Sequence, residues 1–149
     1  MADTAPDFTT GVGGDVYSGM IVKKFSQTID IAANNLTTGT SHKLFTIPAK
    51  MLHLTTVVEV ITAVGATATA DIGTTSVPAT DVDSFIDGVD LNAAAGTLWQ
   101  SGKASTAEVN SILGSAGGYI TTVDTPMSLL ANNTMTAGKF KVTTLWAAI

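Results

Sequence analysis

Between residues 81 and 99 the chain reads DVDSFIDGVDLNAAAGTLW, and four aspartates, Asp81, Asp83, Asp87 and Asp90, fall within ten residues. Carboxylates this close can hold a hard cation such as calcium, or can share acid and base roles in hydrolysis. An EF-hand loop needs oxygen ligands at positions 1, 3 and 5, glycine at 6 and glutamate at 12. With Asp83 first, the third position is Phe85 and the twelfth is Ala94; with Asp81 first, the fifth is Phe85 and the sixth Ile86. Neither register works. A looser calcium site from Asp81, Asp83 and Asp87 stays open beside a plainer reading. Aspartates with a serine over 80–84 suit a turn in which side chains bond back to the main chain. Phe85 and Ile86 then anchor that loop to the core, and Asp90 is placed to cap a short helix over LNAAAGTLW that ends at Gly96.

Other catalytic chemistry finds little to work with. The chain has no cysteine, which removes thiol nucleophiles, zinc–thiolate sites and disulfides. Glu59 and Glu108 are its glutamates, and Glu59 falls in a strand pattern as an outward, solvated residue. His42 and His53 lie on separate strand candidates and are expected as surface or cross-strand residues, although two imidazoles meeting across a sheet could join a metal site. No G-x-S-x-G, H-E-x-x-H or P-loop pattern occurs, and GVGG at 11–14 is not followed by a helix. No catalytic residue, metal ligand or cofactor is assigned, and the chain does not read as an enzyme.

The elements that would position any site are strands. KFSQTIDI (24–31) alternates, with Phe25, Gln27, Ile29 and Ile31 on one face. AANNLTTGT (32–40) is turn chemistry, SHKLFTI (41–47) is a second strand stopped by Pro48, and 51–64 is one bent strand or two short ones. Ala66, Ala68, Ala70 and Ile72 alternate with polar residues, and their small size implies close approach of another layer. Residues 74–81 read as a loop, 85–95 and 104–113 as helical turns, and 117–125 as a strand ended by Pro126. The last strand, GKFKVTTLWAAI, turns Phe140, Val142, Thr144 and Trp146 one way, and it should be pinned in a sheet or against a neighbour. About eight short strands separated by turn signals predict an all-β fold, a single antiparallel β-sandwich of jelly-roll kind. Residues 1–22, with Gly11, Gly13, Gly14, Gly19 and Pro6 and no apolar periodicity, form an expected extended, flexible arm ahead of a sandwich domain over 23–149.

Composition narrows the partners. Of 149 residues 45% are hydrophobic and only 13% charged, where an average globular chain is roughly a quarter charged. Net charge is −5, and all seven basic residues are lysine. Without arginine's planar fork, an acidic chain is a poor ligand for nucleic acid. The N-terminus lacks the basic and apolar regions of a signal peptide, and no apolar run approaches the roughly 18 residues that cross a bilayer. The expectation is a soluble intracellular product that touches neither nucleic acid nor membrane. Its mean hydropathy of +0.35 is high for 15.2 kDa, so some apolar surface is expected to be covered by other chains. Trp99, Trp146 and the terminal Ile149 are candidate interface anchors, with Phe8, Val12 and Tyr17 on the arm. For both tryptophans the alternative is the core.

Two runs, ATADIGTTSVPATDVDSFIDGVDLNAAAGTLWQ (68–100) and GGYITTVDTPMSLLANNTMTAGKFKVTTLW (117–146), resemble small structural proteins of tailed bacteriophages, in particular the head decoration or cement proteins. The resemblance covers about residues 24–149. It implies a virion protein, made in the host cytoplasm, that binds the outer capsid surface as a monomer or homotrimer and clamps subunits of the major capsid protein. The arm would be the clasp. The chain is too short and too β-rich to be the major capsid protein itself. A tail or fibre component and a carbohydrate-binding module remain as rivals, the latter with only Trp99, Trp146, Tyr17 and Tyr119 to stack on sugars.

Overall fold

The computed structural model describes residues 21–74, 81–101 and 119–149, with only the backbone of Asp81 and Val82. The arm up to residue 20, most of the loop at 74–81 and the helix expected over 104–113 lie outside the described residues. The rest is all-β. Eight strands occur among the described residues: β1 (Val22–Asp30), β2 (Ser41–Ile47), β3 (Met51–Thr62), β4 (Thr69–Thr74), β5 (Asp81–Asp90), β6 (Leu98–Gln100), β7 (Thr125–Ala131) and β8 (Lys139–Ala148). They form two four-stranded sheets, β1-β8-β3-β6 and β2-β7-β4-β5, called sheet one and sheet two below.

The pairing is nested. β1 pairs with β8, β2 with β7, β3 with β6 and β4 with β5, each antiparallel. Except from β4 to β5, each strand is followed by one in the other sheet. A chain doubled back at its middle and then rolled gives this order, which is the jelly roll. The core lies between the sheets. β8 supplies Phe140, Val142 and Trp146, β3 supplies Val58 and Val60, and sheet two answers with Ile72, Phe85, Met127 and Leu129, all nearly or fully buried. The final strand is pinned as its alternation requires, between β1 and β3 over its length.

Bulges set which residues face inward. Met51 and His53 turn toward the core, yet so do Thr56, Val58 and Val60, which have the opposite parity. The register shift between His53 and Thr55 reconciles them: Leu54 is the extra residue, and it is left 41% exposed. One inserted residue flips every later side chain. The apolar run is thus one bulged strand, Met51–Thr62.

Three expectations are corrected. Residues 81–90 are strand β5 and not a turn, and no helix follows. Asp90 accepts the Asn92 N–H at 2.8 Å, but Leu91 N–H goes to Ala68 O and Gly96 N–H to Val60 O, while Ala93 and Thr97 N–H make isolated turn bonds to Asp90 O and Ala94 O, so no helix forms. Cross-strand bonding here overrides alanine's helix propensity. Pro126 does not end a strand but sits second in β7. Its missing N–H is harmless there, because β4 takes up pairing only from Met127 onward. Phe85 and Ile86, expected as anchors, are both buried.

Candidate interaction surface

The aspartates that opened the sequence reading serve as structural groups in sheet two. Asp71 on β4 accepts the Gly88 N–H and the Asn132 side-chain amide, both at 2.9 Å. It thereby ties a bulge of β5, where Gly88 has φ +67°, to the turn after β7. Burial, aided by the nearby charges of Asp87 and Asp83, raises the Asp71 pKa, although its two hydrogen bonds work the other way. Among the described residues no group of three acidic, histidine or cysteine side chains is arranged to hold a metal ion. The histidines part company: His42 is on β2 in sheet two, His53 on β3 in sheet one. Glu59 faces outward on β3, opposite Lys141 and Leu98, and Glu108 lies outside the described residues.

His53 belongs to the core chemistry. Its ring lies 4.5 Å from that of Phe85 and 4.9 Å from that of Trp146, and Tyr119 closes the cluster at 5.4 Å from Phe85. A buried polar chain crosses the same place. Trp146 Nε1–H donates to Thr144 Oγ1 at 2.8 Å, Thr144 shares a 2.9 Å bond with Thr56, and Thr56 bonds His53 Nε2 at 2.8 Å. Burial lowers the His53 pKa from 6.5 to about 4, so the imidazole is neutral at ordinary pH. The two tryptophans differ in burial. Trp146 is fully buried, and Trp99 packs half-buried against the core while its neighbour Leu98 takes the outward position.

Several exposed apolar side chains lie at one end of sheet one, around the fully buried Ala147, while Leu98 and Ile61 are exposed elsewhere. Val22 on β1, Ala147 on β8 and Leu52 on β3 stand in one cross-strand row, and a bridge from Leu52 extends it to Ile120. Main-chain bonds close the end: Ala148 N–H to Ile21 O, Ile149 N–H to Lys50 O, and Lys50 N–H to Thr121 O. Ile21 (62% exposed), Ile149 (61%), Val123 (52%), Val22 (51%) and Ile120 (45%) all gather there, with Leu54 beside them. Single exposed apolar residues are ordinary, and a group of them at one end makes a candidate contact surface. Of the interface candidates read from sequence, Ile149 is in this group, and Phe8, Val12 and Tyr17 lie outside the described residues. Ile21, Val22, Leu54, Ile120 and Val123 were not singled out. Val22 shares the face of Lys24, Ser26 and Thr28, so alternation marked that side as polar.

The architecture defines a class, a two-sheet jelly roll whose described residues include exposed apolar side chains at one end. Its fold is shared with chains in solved structures of bacteriophage capsids. One, from the acidic stable capsid structure of Helicobacter pylori bacteriophage KHP30, is 13% identical with a TM-score of 0.57, covering 85% of this chain and 87% of that one. A chain of the cyanophage Pam1 capsid asymmetric unit is 12% identical with a TM-score of 0.58, covering 88% and 86%. A chain of the capsid of Ralstonia phage GP4 is 16% identical with a TM-score of 0.55, covering 87% and 83%. No protein-family model matches the sequence, and no curated protein matches it.

Proposed function

We propose that this protein is a structural component of a bacteriophage head, a decoration or cement protein that binds the outer face of the capsid and stabilises the lattice of the major capsid protein. The observation that carries the reading is the shared jelly roll, matched over 85–88% of this chain by chains from three phage capsids. The exposed apolar end supports it, because such a surface needs a partner. The work is mechanical, with no bond made or broken. Each copy contributes modest apolar and main-chain contacts across a seam between capsid subunits, and many copies on one shell add by avidity. Cyclic trimers at three-fold positions suit such a seam.

Residues 1–20 are the clasp in this reading, a second contact rooted at Ile21. A chain lacking them is expected to melt at the temperature of the full chain and to attach to capsids at least about tenfold more weakly, since a linked second contact multiplies affinity. Co-sedimentation with capsids and a thermal melt measure the two quantities. Equal attachment by the truncated and full chains would remove the clasp from the account.

A further inference from the structure

We infer that the apolar end of sheet one is the face that seats on the shell, and that its counterpart is an apolar patch edged by carboxylates on the major capsid subunit. The inference rests on the capsid reading and adds to it a face and a partner chemistry. Charge is the first argument. The chain carries −5 overall and only seven lysines. Three of these, Lys23, Lys24 and Lys50, border this end, and all three are exposed. Lys24 stands on the outward face two residues beyond Val22, and Lys50 lies between Thr121 and Ile149 in the main-chain bonds that close the end. Asp124, exposed at the same end and accepting the Ala49 N–H at 3.1 Å, offsets one of these charges and leaves the rim net cationic. The acidic side chains Asp71, Asp83 and Asp87 neighbour one another in sheet two instead. A cationic rim on an acidic protein fixes which way it approaches an acidic surface.

Continuity is the second argument. The exposed ends of this row, Val22 and Ile120, flank the half-buried Leu52 and the fully buried Ala147, and Val22 adjoins Ile21, where residues 1–20 join. Residues 1–20 thus join the chain at the edge of this patch. A second copy is a poorer occupant. In a two-fold contact through this end, the lysines of one copy would face those of the other, and like charges set opposite one another disfavour association.

Capsids depleted of the protein, mixed with full-length variants and sedimented, provide the test. K24E/K50E is expected to reduce binding at low salt by about tenfold or more, and V22D/I120D by at least as much. T28E, on the far half of the same outward face, should stay within about twofold, and all three should melt like the parent because the altered side chains are exposed. Normal binding by both patch variants overturns the inference. So does a fall in the sedimentation mass of the free protein on V22D/I120D with capsid binding intact, which would assign the patch to a second copy. Failure of the unmodified chain to bind capsids would instead overturn the capsid reading beneath it.

Discussion

His53 is where a single side chain carries the most consequence for stability. Its folded pKa is about 4 against 6.5 in the open chain. As pH falls through 6.5 the unfolded chain takes up a proton that the folded chain refuses, so stability declines from there and levels off once pH passes below about 4. At about 1.4 kcal/mol per pH unit, the whole window costs about 3 kcal/mol. Asp71 acts with the opposite sign. Its raised pKa favours the folded state below the ordinary carboxylate value, and that contribution is lost as pH rises through the raised value, so it offsets part of the His53 limb at the acid end. Urea midpoints at pH 7, 5.5 and 4 should fall along this limb, and His53→Leu should flatten it. An unchanged slope in the variant would mean that another group takes the proton. Asp30, held below its usual pKa by its hydrogen bond to Lys139, is an exposed pair of small weight.

At the scale of elements, glycine geometry and bulges decide what the residues can do. Gly138 precedes β8 with φ +108°, and a Cβ there would meet Val64 Cγ2 at 2.9 Å and the Val64 Cα at 3.0 Å. Gly138→Ala is expected to cost about 2 kcal/mol or more, read as a lower urea midpoint with an unchanged slope. The alternation of Phe140, Val142, Thr144 and Trp146 made β8 readable, because a strand with one wet face keeps a strict period of two. β3 and β5 were harder to read. In β3 the extra residue Leu54 leaves Met51 and His53 on one parity and Thr56 on the other, and in β5 the aspartates and serine over 80–84 read as turn chemistry although the strand they begin pairs with β4. The alanines at 93–95 likewise suggested a helix, because propensity is local while the bonds to Val60 and Ala68 are not.

For the whole molecule, the count and spacing of strands were enough to place the chain among jelly-roll sandwiches, since eight short strands with turns between them leave few closed arrangements. Which strands share a sheet depends on pairings far apart in sequence, such as β1 with β8, and no local pattern encodes them. The contact end was illegible for the same reason. Val22, Ile120 and Ile149 come from three separate parts of the chain, and only the nested pairing brings them together. That assembled surface, on a fold shared with chains of three phage capsids, is the basis for proposing a shell protein whose affinity comes from repetition. Copy number tests that claim most directly. Quantitative mass spectrometry of the particle that carries this protein should give a ratio to the major capsid protein of about one to one, as a protein repeated across a lattice requires. A handful of copies per particle, or none, would contradict it, the first assigning the chain to a tail or fibre and the second removing it from the virion.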